Sequence, residues 1–175
     1  MQHLIGRRLP DLDLPSTDGF TFNLSTANGI FVIFCFPYTG RPDVPNPPDW
    51  DNIPGAHGST PQAQAFSMRY EEFKKLGIKV FGLSFQDPAW QCEFVKRTSL
   101  RVPLLSDQKK LFSSALGLPT FKAGTQDYLQ RLTLVSKDGF ITHVRYPIDV
   151  PENDAAEILK LFEDIPHHDS YRNRQ

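Results

Sequence analysis

Residues 30–36 read IFVIFCF, an apolar run with no polar interruption. A half-buried strand would alternate and a surface helix would show polar positions every turn. An unbroken run suits a strand buried on both faces, at the centre of a parallel sheet. Pro37 ends it. A second run, IKVFGLS at 78–84, has the same character.

Between the two runs, Ala63, Phe66, Tyr70 and Phe73 recur at three- and four-residue steps. That period predicts a helix over about 61–76, stopped by Gly77. After the second run, Asp87 is placed to cap a helix with Pro88 at its first position. Leu104 and Leu105 suggest a short strand, and KKLFSSALG a short helix ending at Gly117. RLTLVSKDGFITHVRYP, residues 131–147, reads as a hairpin around Lys137-Asp138-Gly139. PDLDLPSTDGFTFNL, residues 10–24, reads as another, with Leu12, Leu14, Phe20 and Phe22 flanking a Ser-Thr-Asp-Gly turn. A last amphipathic helix, over about 152–163, carries Ile158, Leu161 and Phe162.

Helical crossovers between apolar strands imply a parallel centre with an antiparallel edge. The expected fold is α/β and thioredoxin-like: a central mixed sheet, flanking helices and an N-terminal β-hairpin. One domain is expected over residues 1–165, with a polar, frayed tail over 166–175 that includes HHDSYRNRQ.

Composition narrows the partners. The chain has 175 residues, a net charge of −1 and no basic run, which argues against nucleic acid. No segment reaches the length of a membrane span. The opening residues lack the long apolar stretch of a secretory signal. Two cysteines, Cys35 and Cys92, make no disulfide framework. A reducing cytoplasm is the expected compartment. No Cys/His cluster has metal-ligand spacing, so neither metal nor haem is expected.

The chemistry is sought in GAHGSTPQAQAF, residues 55–66, a tight loop entering the first predicted helix. Alpha/beta proteins place ligands at such strand ends. Ser59 and Gln62 have the spacing of a capping box. Pro61, however, prefers the first helical position, which makes Thr60 the expected cap and leaves Ser59 one residue outside the helix. The long loop before it carries Pro42, Pro45, Pro47, Pro48 and Pro54. Loops of that length are functional or disordered, and an inert insertion is the third possibility.

FVIFCFPYTG, GSTPQAQAF, KVFGLSFQDPAWQCEF, PLLSD and RLTLVSKDGFITHVRYP together resemble the peroxiredoxins of the AhpC/TSA superfamily, with the nearest similarity to the peroxiredoxin Q (bacterioferritin comigratory protein) type. In that resemblance Ser59 falls at the peroxidatic cysteine. Arg131 falls at the arginine that holds the thiolate and one peroxide oxygen. The threonine or serine expected three residues before the nucleophile is Ala56, a departure, and Thr39 is either the alternative hydroxyl or a turn residue. His57 reads as an exposed loop histidine. The resolving cysteine that this type often carries five residues on is replaced by Gln64. Cys92, similar in place to the resolving cysteine of the thiol peroxidase type, is the remaining candidate. A stripe through Trp90 and Phe94 would leave it exposed, and one through Ala89, Cys92 and Val95 would bury it. Cys35, inside the strand run, reads as inert core.

The resemblance implies a thiol-dependent peroxidase that reduces hydrogen peroxide and alkyl hydroperoxides. Its reductant would be thioredoxin, glutaredoxin or a small thiol, and it would be a monomer or homodimer. With serine at 59 the chain as it stands is expected to be inactive. An engineered Cys-to-Ser substitution fits the intact surroundings. The alternative is a natural pseudo-peroxidase, a non-catalytic thioredoxin-like binding module. A dithiol oxidoreductase is excluded by the absence of any CxxC.

Overall fold

The computed structural model describes residues 1–163, so the 166–175 tail and the boundary at 165 lie outside the described residues. A two-strand hairpin, β1 (Leu14–Pro15) and β2 (Thr21–Phe22), precedes the central strand β3 (Ile30–Cys35). Then follow α1 (Ser59–Met68), α2 (Tyr70–Lys75), β4 (Ile78–Ser84), α3 (Pro88–Thr98), β5 (Leu104–Ser106) and α4 (Leu111–Leu116). A second hairpin, β6 (Thr120–Ala123) and β7 (Gln126–Leu129), leads into β8 (Leu132–Lys137), β9 (Phe140–Arg145) and α5 (Asp154–Glu163). The main sheet has the order β5-β4-β3-β8-β9. Strands β3, β4 and β5 run parallel, while β8 is antiparallel to β3 and β9 to β8.

The IFVIFCF run does what its composition demands. Val32, Ile33, Phe34 and Cys35 are fully buried. Strand alternation sends Phe31, Ile33 and Cys35 into one core, with Leu83, Leu132 and Phe112. Val32 and Phe34 enter the other, under α1, α3 and α5, with Phe66, Phe94 and Ile158. The Phe34 and Phe66 rings stack at 4.5 Å. Gly82 in β4 permits this close packing, since a Cβ there would lie 2.5 Å from Leu104 and 2.7 Å from Phe34.

Three local signals act as expected. The Asp87 carboxylate accepts from the Trp90 N–H at 2.8 Å, with Pro88 at the first helical position. Gly117 ends α4 in the left-handed region. Asp138 (φ 51°) and Gly139 (φ 86°) form the β8–β9 turn, where both central residues need positive φ.

The helix expected over 61–76 differs at both scales. It begins two residues earlier, at Ser59, and divides at Arg69, which leaves helical geometry with φ −99° and ψ 14°. The β6–β7 hairpin has no counterpart in the periodicity. The last helix starts at Asp154, after a 3-10 turn at Pro151–Asn153. On α3 the buried face is Gln91 and Phe94 rather than Trp90 and Phe94. The buried Gln91 amide nitrogen donates to Ser84 Oγ and the Leu105 carbonyl, both at 2.9 Å, while its Oε1 has no partner among the described residues.

Candidate active site

Strand β3 delivers the chain to Pro37 at its carboxyl end, and α1 starts the return. The proline-rich loop between them is ordered. Its own backbone bonds tie Trp50 to Pro47 and Ala56 to Ile53. Trp50 is 4% exposed and sits among Tyr38, Phe121 and Tyr128, with ring centroids 5.5, 5.7 and 5.1 Å away. The β6–β7 hairpin supplies the last two of these rings, which is its role in the site.

Gly58, not Thr60, occupies the N-cap of α1, with φ 117°. The Pro61 signal misplaces the start because proline also fits the third helical position, where its missing N–H would have no intrahelical partner. Ser59 is therefore the first helical residue and is 3% exposed, not free outside the helix. A Cβ at Gly58 would come 2.6 Å from Pro151 Cγ, in a backbone conformation that L-residues rarely adopt. Gly58→Ala is expected to cost about 1–3 kcal/mol, read by denaturant unfolding. An unchanged midpoint would show that the turn relaxes freely.

Arg131 enters the site from the residue before β8 and is 5% exposed. Its Nη1 donates to Ser59 Oγ at 3.2 Å and to Gln62 Oε1 at 2.7 Å. Its Nη2 donates to the carbonyls of Gly55, Ala56 and His57 at 3.3, 3.4 and 3.1 Å. Burial pulls the guanidinium pKa down to about 10, and Asp154 opposes the shift, so it is a cation at neutral pH. The free N–H groups at the start of α1 add the positive end of the helix. Any atom at the Ser59 Oγ position thus faces two sources of positive potential.

Sequence reasoning missed the layer behind. Asp154, fully buried, accepts from Gln62 Nε2 at 3.0 Å, Thr133 Oγ1 at 2.6 Å and Arg145 Nε at 3.0 Å. Gln62 thereby presents its oxygen to Arg131 and its nitrogen to Asp154. The capping-box spacing drew attention to Gln62 for another reason, and nothing local marks Asp154. Asp154→Ala would leave Gln62, Thr133 and Arg145 without an acceptor. Because the Arg145 side chain is 32% exposed, water offsets part of the cost. A loss of about 2–3 kcal/mol is expected in urea unfolding. A loss under half a kcal/mol would show the network to be dispensable.

The remaining candidates separate. Thr39 is buried and its hydroxyl donates to Gln86 Oε1 at 3.1 Å, so it serves the β3 end and does not line the Ser59 cavity. His57 is exposed, with Nε2 2.6 Å from Asp51 Oδ1, and its carbonyl holds Arg131. Cys92 is half-buried on α3, between the two sequence readings, and Cys35 is fully buried. Burial pushes the Cys35 thiol far up, with the Asp107 charge adding to the shift, which makes it inert core. Among the described residues no group of three His, Cys, Asp or Glu side chains is placed to hold a metal.

A cavity of about 250 Å³ opens beside Ser59, lined among others by Tyr38, Asn46, Trp50, Ala56, Thr60 and Pro61. Strand order, crossovers and a polar site at the carboxyl end of β3 place the molecule in the thioredoxin-fold class. The chain belongs to the Redoxin family, whose pattern matches residues 4–159. Within it, similar proteins are peroxiredoxins of the Q and Bcp type. Chloroplastic peroxiredoxin Q of Oryza sativa subsp. japonica is 32% identical over 160 residues, which cover 91% of this chain and 67% of the rice protein. Peroxiredoxin Bcp of Escherichia coli K12 is 30% identical over 139 residues, 77% of this chain and 80% of that one. Peroxidoxin BcpB of Mycobacterium tuberculosis shares the fold, with a TM-score of 0.74 at 22% identity over 92% of this chain and 97% of its own.

Proposed function

We propose that this chain carries the peroxide site of a thiol-dependent peroxidase, with Ser59 standing where the peroxidatic cysteine belongs. The observation that carries the reading is the buried Arg131 Nη1 at 3.2 Å from Ser59 Oγ, at the first residue of a helix. With sulfur in that place, a thiolate attacks one peroxide oxygen and the O–O bond breaks. The sulfur becomes a sulfenic acid, the peroxide is reduced by two electrons, and the leaving oxygen takes a proton as water or alcohol. Arg131 lowers the thiol pKa and offsets charge on the leaving oxygen. A serine hydroxyl stays protonated at neutral pH, so the chain as it stands does not reduce peroxide.

One observation favours a second reading, a natural non-catalytic module. Position 64, where peroxiredoxin Q types often carry the resolving cysteine, also lacks sulfur and holds an exposed Gln64. The codon for residue 59 in the encoding gene separates the two: cysteine for an engineered replacement, serine for the module.

The chemical test is peroxide reduction by the Ser59→Cys protein in stopped flow. A rate no faster than free cysteine would remove the peroxidase reading. The same protein assigns Cys92. A disulfide needs α-carbons about 5.5 Å apart. The Gln62–Asp154 bond holds the first turn of α1, so that turn must open for a crosslink to form. One equivalent of peroxide should then consume both thiols and give a 59–92 crosslinked peptide. A stable sulfenic acid with Cys92 still alkylatable would assign a one-cysteine mechanism, with thioredoxin, glutaredoxin or a small thiol attacking directly.

A further inference from the structure

Among the described residues Asp154 makes no hydrogen bond to Ser59 or Arg131, yet it is tied to the elements that frame them. Its Oδ2 accepts from Gln62 Nε2 at 3.0 Å and from Thr133 Oγ1 at 2.6 Å, and its Oδ1 accepts from Arg145 Nε at 3.0 Å. Gln62 lies in the first turn of α1, on the helix that Ser59 begins. Thr133 lies in β8, and Arg145 is its cross-strand partner in β9. Strand alternation puts residues 131 and 133 on one face. Just ahead of Asp154, Pro151 packs against Gly58, the N-cap of α1. The stretch 151–154 therefore meets the start of α1 at two points, one apolar and one polar.

Chemistry fixes the direction of the Gln62 amide. A guanidinium only donates hydrogen bonds and a carboxylate only accepts them, whereas an amide does each through a different atom. With Arg131 Nη1 at 2.7 Å from one atom and Asp154 Oδ2 at 3.0 Å from the other, a single orientation satisfies both partners. A flipped amide would set N–H against N–H at Arg131 and oxygen against oxygen at Asp154. The amide also keeps the two charges apart. Asp154 pairs with Arg145, and among the described residues it forms no ion pair with Arg131. A carboxylate bonded directly to Arg131 would cancel much of the positive potential at the Ser59 Oγ position. Gln62 thus passes on an orientation and leaves the cation directed at position 59.

We propose that Asp154 is a positioning residue: through the Gln62 amide it fixes Arg131 against the reacting atom at position 59. The inference rests on the peroxidase reading of the site. It is tested in the Ser59→Cys protein by a double-mutant cycle of Asp154→Asn and Gln62→Met, which stay close to the native side chains in volume. Each single variant is expected to slow hydrogen peroxide reduction by about tenfold or more, the lower end of what outer partners of metal-bound side chains contribute. The double variant should be no slower than the slower single one, because both break the same link. The thiol pKa supplies a sign that a merely structural role would not. It is read from the pH dependence of iodoacetamide alkylation at residue 59, followed by peptide mapping. Removing a nearby negative charge by itself lowers a thiol pKa, whereas displacing Arg131 raises it. Asp154→Asn should raise it. If circular dichroism shows that Asp154→Asn does not fold, Thr133→Val takes its place with the same two readouts, since Thr133 Oγ1 holds the same carboxylate oxygen. An unchanged rate in either single variant, additive effects in the double one, or a thiol pKa that falls or stays fixed would overturn the positioning role while leaving the peroxidase reading intact. An unreactive Ser59→Cys parent would remove that reading, and the positioning role with it.

Discussion

The Ser59→Cys protein is expected to reduce hydrogen peroxide about 3 × 10² to 3 × 10³ times faster than a free thiol at pH 7. Three factors set the figure. A free cysteine with a pKa of about 8.5 is only a few per cent thiolate at neutral pH, so full ionisation gains roughly 30-fold. The lower basicity of a depressed thiol takes back roughly tenfold. One preorganised donor at the developing oxyanion contributes about 10² to 10³. Arg131 is such a donor without rearrangement, since its other hydrogen bonds to Gln62, Gly55, Ala56 and His57 already hold it in place. The sign of the pH dependence follows. A pKa depressed well below 7 keeps the rate flat from pH 7 upward and lets it fall as pH drops through the depressed pKa. Stopped-flow rates from pH 4 to 9 measure this. A profile rising through about 8.5, as for free cysteine, would show that the site does not activate sulfur.

In that background Arg131→Ala should lower the peroxide rate by about 10² to 10³ and move the thiol pKa upward. The variant also removes the donor to four oxygens besides the sulfur, so a slower rate alone would not separate chemistry from structure. The pH profile does separate them. A folded protein with a loosened loop keeps its thiol pKa if the helix end alone sets it. Loss of a cation 3.2 Å away raises it. Arg131→Lys retains the charge but cannot reach the loop carbonyls and Gln62 together, so it should restore the pKa more than the rate. An unchanged rate and profile in Arg131→Ala would mean that another group supplies the positive potential.

Much of the frame is legible because its causes are local. The both-face burial of β3 follows from IFVIFCF itself. The Asp87 cap and the Asp138-Gly139 turn act within three or four residues. Resemblance, and no local pattern, points to Arg131, since it bonds a side chain 72 positions away. At the start of α1 two local signals compete. Pro61 suggested a later start, while the Gly58 conformation, packed against Pro151, set an earlier one.

The amino-acid order by itself determined the buried strands, the crossovers and the identity of the atom at position 59, a hydroxyl where the proposed chemistry calls for a thiol. Each of these is a property of one residue or of a short run. Only the tertiary structure decided what surrounds that atom. Asp154 reaches Gln62 across 92 residues. The β6–β7 hairpin packs Phe121 and Tyr128 onto Trp50 from outside the loop. Burial of a carboxylate, a guanidinium and an amide is tolerable only when each completes the others' hydrogen bonds. That condition joins distant segments, and no window of the sequence contains it.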